Sequence, residues 1–168
     1  EGANVVIGAR RVGKVAALES ELGDKALAVA MDVTDEASLI AAFDAAEARF
    51  GTVDTVVANA GIAKAGRSTE LAARDISAVV ETNFIGLYLT AREGAKRMIA
   101  AGFRESERGR IVLLGSITAE STGGGETAYA AIKAGVAHLG RQFAREWIRQ
   151  GINVNTVQPG YIATEIQG

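Results

Sequence analysis

The chain has 168 residues, 48% of them hydrophobic and 23% charged, which suits a single domain with a buried core over residues 1–168. A net charge of −2 leaves no basic excess to hold nucleic acid, and a chain without cysteine has neither disulfides nor thiolate metal sites. No apolar run reaches the ~18 residues of a membrane helix and no signal peptide is visible, so we expect a cytoplasmic protein.

Five short apolar runs, rich in β-branched residues, alternate with longer amphipathic segments. Because the runs are apolar throughout, they are typical of strands covered on both faces, as in a parallel sheet. The predicted strands are residues 4–9, 26–31, 53–59, 110–116 and 152–158.

Helical patterns fill the intervals between these strands. One of them follows Thr34, a plausible N-cap, and stops at Gly51. This alternation predicts a layered βαβ fold with right-handed crossovers. The predicted helices are residues 12–22, 35–50, 70–101 and 127–150.

Tyr129 and Lys133, in the run YAAIK, lie about one helical turn apart and project from the same face. A free tyrosine has a pKa near ~10, and a nearby ammonium lowers it, which suits a general acid–base group. A tyrosine four residues before a lysine also occurs by chance in many helices. Ser116 follows the strand RIVLLG at the sheet edge where ligands bind, and its hydroxyl can either donate to a substrate oxygen or cap a turn.

Six short motifs together resemble the short-chain dehydrogenase/reductase family, in its Tyr-x-x-x-Lys branch. They fall in the family's order at family-like spacings and span nearly the whole chain. The resemblance implies an α/β fold with a doubly wound parallel sheet of the Rossmann type. The motifs are DVTD at 32–35, NAG at 59–61, Asn83 in ETNFIG, GSI at 115–117, YAAIK at 129–133 and PGYIATE at 159–165.

The resemblance implies a role for each residue of the reaction centre. Tyr129 would exchange a proton with the substrate oxygen, Ser116 would orient that oxygen, and Lys133 would lower the pKa of Tyr129 and bind the nicotinamide ribose. Asn83 would hold a water that passes protons to Lys133. Its place on the apolar face of a helix leaves a second interpretation open, in which the buried amide ties the helix to a neighbouring strand.

The resemblance also implies contacts with a nicotinamide cofactor. Asp32 and Val33 would hold the adenine, and Gly61 would let the backbone come close to the cofactor. No histidine or carboxylate cluster has metal-ligand spacing, and His138 is interpreted as a packing or surface residue. The implied cofactor contacts are Arg10, Arg11, Asp32, Val33, Asn59, Ala60, Gly61, Tyr129, Lys133, Pro159, Gly160, Ile162 and Thr164.

The end of the first strand bears on the choice of cofactor. Enzymes of this fold place an acid there for NAD and a basic group for the 2′-phosphate of NADP. Ala9 stands where the acid is expected, and Arg10 and Arg11 follow it. The guanidinium of either arginine can bind a phosphate through two hydrogen bonds. We therefore predict NADP, with NAD as the second choice. The alternative is that the two arginines only solvate the start of a helix.

The family's glycine-rich turn, with its strand and helix, has no counterpart in the sequence, and the match stops before the substrate-covering segment. We therefore expect an internal fragment, incomplete at both ends and inactive alone. In the strand order 3-2-1-4-5-6, the missing strand lies between the strands at 4–9 and 53–59 and leaves their edges unpaired.

The predicted activity of the parent protein is NADP-dependent interconversion of an alcohol and a ketone, as in a 3-oxoacyl or similar carbonyl reductase. The alternatives are an NAD-dependent alcohol, polyol or steroid dehydrogenase, a lyase or epimerase that keeps the cofactor bound, and a non-redox binding module. The largely apolar helices at 70–101 and 127–150 predict a homodimer or homotetramer.

Overall fold

The computed structural model describes residues 2–162. Two compact units make up the chain, the first ending at Val53 and the second beginning at Asp54. A single domain over residues 1–168 stays a prediction.

The first unit is built on a two-stranded parallel sheet. Strand β1 (Val5–Ala9) pairs with β2 (Ala26–Ala30), so that Ala9 lies opposite Ala30 at their carboxyl ends. Helix α1 (Val12–Leu22) and a 3₁₀ turn connect the two strands, and α2 (Glu36–Phe50) follows β2.

Helix α2 begins at a different cap from the one that the sequence predicts. The Asp35 carboxylate accepts a hydrogen bond from Ala37 N at 3.0 Å, so Asp35 is the N-cap and the assignment to Thr34 was wrong. The Thr34 hydroxyl is engaged elsewhere, since it donates to Asp32 Oδ1 at 2.7 Å. Gly51 ends the helix at φ 81°, a region that favours glycine, as predicted.

The second unit contains a three-stranded parallel sheet. Its strands, β3 (Thr55–Ala58), β4 (Gly109–Leu114) and β5 (Ile152–Val157), lie in that order. Each pair is joined by helical crossovers, and α6 (Thr127–Trp147) connects β4 to β5. The α/β fold with parallel sheets is therefore confirmed.

The crossover from β3 to β4 changes its helical pitch. Helix α3 (Ala73–Val80) runs into a π-helical segment (Glu81–Gly86) and continues as α4 (Leu87–Ala100), before the short α5 (Phe103–Ser106). The sequence predicts one uniform helix over 70–101 and gives no sign of this change. Wider π turns of this kind occur often at functional sites.

The core of the second unit lies under one face of its sheet, where α4 and α6 pack. The strand register aligns Val56, Ile111 and Val154, which are all buried. Burying an aliphatic side chain of this size contributes ~1.5–3 kcal/mol, so this row stabilises the packing of both helices.

The strand pairing within each sheet agrees with the predicted order. Among residues 2–162, β1 pairs only with β2, and β3 pairs with β4 but with no other strand. The expectation that a further strand belongs beside β1 and β3 stays a prediction.

Gly140 allows α6 to lie close to β5. A Cβ atom there would overlap the Thr156 hydroxyl and lie 3.5 Å from Leu113 Cδ1. We expect Gly140→Ala to lower the free energy of unfolding by about 1–3 kcal/mol, the usual cost of overpacking. Denaturant unfolding measures this change.

Two further variants test that explanation. Gly13 lies in α1 with nothing within 4 Å of its Cβ position, so Gly13→Ala should stabilise by about 0.5–1 kcal/mol. In a Thr156→Ala background the overlapping hydroxyl is gone, and Gly140→Ala should cost much less. An unchanged cost in that background would contradict the assigned overlap.

Candidate active site

Lys133 is a buried lysine on the face of α6 that meets the sheet. Its side chain is 5% exposed, and Nζ donates to the carbonyl of Leu114, the last residue of β4, at 2.6 Å. Burial lowers the pKa of Lys133 to about 8, because a low-dielectric surrounding disfavours the charged form. This bond fixes α6 against the carboxyl end of β4.

Ser116 begins a short 3₁₀ turn, Ile117–Ala119, directly beyond β4. Its hydroxyl oxygen accepts hydrogen bonds from Thr118 N at 3.2 Å and from the Thr118 hydroxyl at 2.9 Å. Ser116 therefore caps a turn, as one interpretation of the sequence has it. Because the oxygen is occupied as an acceptor, the hydroxyl proton is left to donate, and Ser116 lies close enough to Tyr129 to lower the pKa of its hydroxyl.

Tyr129 is half-buried in the first turns of α6. Burial raises the pKa of its hydroxyl, the neighbouring Ser116 hydroxyl lowers it, and the charge of Glu126 raises it, so that the pKa stands above its ordinary value of 10.0. The resemblance implies that Lys133 lowers this pKa. The structure differs because Lys133 Nζ lies over the ring, 5.6 Å from its centroid, and is bonded to Leu114.

Asn83 lies in the π-helical segment and is fully buried. Its Oδ1 accepts from Ile62 N and its Nδ2 donates to Ile62 O, both at 2.8 Å. The amide therefore ties the helical crossover to the segment that follows β3, which favours the second interpretation of this residue. A water held for Lys133 stays a prediction.

The NAG segment lies beside this tie. Asn59 and Ala60 are exposed, and Gly61 is half-buried. A Cβ at Gly61 would lie 3.5 Å from Asn83 Oδ1, an ordinary contact, so crowding within the chain does not require glycine here.

The segment after β5 adjoins the Ser116 turn. Pro159 O accepts from Ile117 N at 2.9 Å, and Val157 O accepts from Gly115 N at 2.8 Å. Gly160 and Ile162 are exposed, and Thr164 lies outside the described residues. The structure thus brings Pro159, Ser116, Tyr129 and Lys133 to the carboxyl ends of β4 and β5.

A second group of predicted residues lies at the carboxyl ends of β1 and β2. Asp32 Oδ1 accepts from Thr34 N at 2.9 Å as well as from the Thr34 hydroxyl. These hydrogen bonds, and then the charge of Arg10, hold the pKa of Asp32 below its ordinary value. Val33 is buried, while Arg10 and Arg11 are exposed at the start of α1.

Two residues near Tyr129 were missed by the sequence interpretation. Thr118 supplies both hydrogen bonds to Ser116 Oγ, and nothing in the sequence singles it out. Glu126 acts on the Tyr129 hydroxyl through its charge. Its spacing of three residues from Tyr129 was a usable signal, because residues three apart on a helix are neighbours.

Within residues 2–162, no helix is both long enough and apolar enough to cross a membrane. Over the same residues, no group of three or more histidine or carboxylate side chains could hold a metal ion. His138 lies on the exposed side of α6, near Arg141 and Gln142.

Comparison with known proteins decides the family. The model of the short chain dehydrogenase family matches residues 1–168. The chain belongs to the short-chain dehydrogenases. The predicted resemblance is confirmed, and the Rossmann-like fold agrees with the solved structures of the family.

Three relatives illustrate the likeness. Cis-4-hydroxycyclohexanecarboxylate dehydrogenase of Sinomonas cyclohexanicum is 40% identical, over 98% of this chain and 66% of that protein. A gluconate 5-dehydrogenase of Burkholderia cenocepacia in complex with NADP and tartrate is 33% identical at a TM-score of 0.89, over 99% of this chain and 64% of that one. A 3-ketoacyl-(acyl-carrier-protein) reductase of Brucella melitensis complexed with NADH is 32% identical at a TM-score of 0.90, over 95% of this chain and 66% of that one. The chain thus spans slightly less than two thirds of the length of these relatives.

The buried ammonium of Lys133 makes stability depend on pH. Its folded pKa of about 8 lies below the ordinary 10.5, so between these values the unfolded chain binds a proton that the folded chain has released. Folding therefore becomes more favourable as pH rises through this window. We expect the free energy of unfolding of the wild type, minus that of Lys133→Met, to rise from pH 8 to 10.5 in denaturant titrations. A difference that falls or stays flat would contradict the burial of this charge.

Proposed function

We propose that the full-length protein is an NADP-dependent oxidoreductase that interconverts an alcohol and a ketone. The observation that carries this proposal is the cluster at the end of β4, where the Ser116 hydroxyl lies close enough to Tyr129 to lower the pKa of the phenol and the buried Lys133 lies over the Tyr129 ring. Such a cluster exchanges a proton with a substrate oxygen at the edge of the sheet where α/β proteins bind ligands.

In the direction of reduction, Tyr129 is the proton donor. Its raised pKa keeps the phenol protonated at neutral pH, and the proton passes to the carbonyl oxygen as that oxygen becomes an alcohol. Ser116 directs its hydroxyl proton toward the same oxygen, because its own oxygen is held by Thr118. The nicotinamide group, when bound, supplies the hydride to the carbonyl carbon, and in oxidation it accepts one.

The residues present fit a nicotinamide cofactor with its ribose hydroxyls. An ammonium has three N–H donors, and in the described chain the Leu114 carbonyl is the one acceptor that Lys133 has. A hydroxyl-rich group placed at Lys133 would satisfy the remaining donors of this buried charge. We therefore propose that Lys133 and Tyr129 hold the nicotinamide ribose.

We assign the other cofactor contacts by the same proposal. Asp32 and Val33 would hold the adenine, and Arg10 with Arg11 would meet the 2′-phosphate. The remaining contacts, with the nicotinamide and pyrophosphate, are Asn59, Ala60, Gly61, Pro159, Gly160, Ile162 and Thr164.

The choice between NADP and NAD rests on the residues that follow β1. Arg10 is exposed, and it is close enough to Asp32 for its charge to lower the pKa of that carboxyl. Its guanidinium is therefore near the carboxyl ends of β1 and β2, where we propose that the 2′-phosphate of NADP binds. NAD is the second candidate, because a related reductase has been solved with NADH and another relative with NADP. A 3-oxoacyl or similar ketone is the proposed substrate.

We further propose that the protein is a homodimer or homotetramer through α3, α4 and α6. Tyr88 on α4 is 37% exposed although it packs on Phe143, and Phe143 stacks on Trp147 with centroids 4.1 Å apart. Ile76 on α3, Ile85 in the π-helical segment between α3 and α4, and Ile99 on α4 are also exposed. Exposed apolar groups beside an aromatic cluster are typical of self-association surfaces.

Removing the Tyr129 hydroxyl tests the proposed reaction. Tyr129→Phe keeps the ring and removes the proton donor, so in the full-length protein kcat should fall by about 10²–10⁴, the range for general acid–base catalysis. Cofactor affinity, measured by fluorescence titration, should fall far less than kcat, because Lys133 still holds the nicotinamide ribose. Tyr88→Phe removes a hydroxyl on α4 and serves as the control. Retention of most turnover in Tyr129→Phe would remove this residue from the mechanism.

Charge reversal at the end of β1 tests the cofactor. Ala9→Asp combined with Arg10→Ala should shift the ratio of kcat/KM for NADP over NAD by about ten- to hundredfold toward NAD. Arg149→Ala, which removes a charge from an exposed arginine elsewhere, should leave the ratio alone. A wild-type protein that prefers NAD would show that the two arginines only solvate the start of α1.

A further inference from the structure

Glu126 occupies the N-cap of α6, three residues before Tyr129. Residues three apart at a helix start lie on one side of the helix, and the charge of Glu126 raises the pKa of the Tyr129 hydroxyl. The Glu126 backbone is fixed, since its carbonyl accepts from Ala130 N at 2.8 Å. The side chain does not cap the helix; instead Oε2 lies 3.8 Å from the Cβ position of Gly123, beside the run of glycines.

This carboxylate is half-buried and uncompensated. In the described chain it has neither a hydrogen-bond partner nor an ion pair, although its solvent access is reduced. The polar and charged groups set against Tyr129 are Ser116 from the turn after β4, and Lys133 and Glu126 from α6. The Lys133 ammonium lies over the ring and bonds Leu114, so it does not neutralise Glu126.

A groove lined by residues that follow Ser116 in sequence and by residues of α6 on either side of Tyr129 carries no positive charge either. It has a volume of about 310 Å³ and runs between the Ser116 turn and the first turns of α6. Hydroxyl and methyl groups and one carboxylate line it, with no lysine, arginine or histidine among the lining residues. The side chains that define it are Glu120, Ser121, Thr122, Thr127 and Ala130.

We propose that Glu126 selects substrates by charge, favouring ketones and alcohols with neutral groups beside the reacting carbon and disfavouring those with a carboxylate or phosphate there. The physical reason is repulsion between two like charges in partly desolvated surroundings. The inference rests on the proposed function, because it places the reacting oxygen at Tyr129.

A matched pair of substrates tests the selection in the full-length protein. Ethyl acetoacetate and acetoacetate share a ketone and differ by one charge two carbons away. Glu126→Gln keeps the size of the side chain and removes its charge, so the ratio of kcat/KM for acetoacetate over its ester should rise about tenfold. Glu105→Gln removes a charge from an exposed glutamate of α5 and should leave the ratio unchanged.

A second readout does not depend on turnover. The chain has three tyrosines, and the difference in phenolate absorbance between a protein and its Tyr129→Phe variant isolates Tyr129. Because the Glu126 charge opposes a second negative charge at the phenol, the titration of Tyr129 should move to lower pH in Glu126→Gln. Glu105→Gln should not move it.

The outcomes separate the inference from the proposed function. A wild-type protein that reduces no ketone, neutral or charged, would overturn the proposed function. An active wild type whose substrate ratio is the same in Glu126→Gln would overturn the charge selection alone. An unmoved Tyr129 titration would also overturn it, since the Glu126 charge would then not reach the reaction centre.

Discussion

The second unit depends on one buried hydrogen bond, from Lys133 Nζ to the carbonyl of Leu114. A lysine that is 5% exposed is costly to bury as a charge, and an unpaired ammonium at this place would be costlier still. The bond to the last residue of β4 reduces that cost, and it fixes how α6 lies on the sheet. This contact places Tyr129, one helical turn earlier on α6, beside the Ser116 turn.

The same burial determines which form each group takes at neutral pH. Desolvation disfavours charge on both side chains, so it lowers the pKa of Lys133 and raises the pKa of Tyr129. Lys133 Nζ lies over the Tyr129 ring and donates to Leu114. Its charge therefore does not offset the rise that burial causes in the pKa of the Tyr129 hydroxyl. The described chain therefore presents Tyr129 as a proton donor, and Ser116 is the neighbour that favours its ionisation.

The sequence predicts the strands and helices of both units to within a few residues, because the strands are continuous apolar runs and the helices carry apolar residues at the helical period. The site residues do not follow from periodicity. Ser116, Tyr129 and Lys133 are found through a family resemblance, while no sequence pattern predicts that Thr118 hydrogen-bonds Ser116. The cap of α2 was misassigned for a similar reason. Thr34 and Asp35 are both residue types that cap helices, and the folded chain decides between them, since Asp35 accepts from Ala37 N while the Thr34 hydroxyl donates to Asp32.

Polar ties join the segments around Tyr129, in addition to the apolar core on which α4 and α6 pack. Asn83 binds both backbone groups of Ile62, Gly66 N donates to Gly125 O at 2.9 Å, and Ile117 N donates to Pro159 O. Each tie links segments that are far apart in sequence, and its strength depends on direction as well as distance. Hydrophobic burial is non-directional, so it can place helices on a sheet but cannot aim a hydroxyl. Asn83, which makes the bonds to Ile62, lies in the π-helical segment. The change of helical pitch therefore coincides with the residue that joins this crossover to the segment after β3.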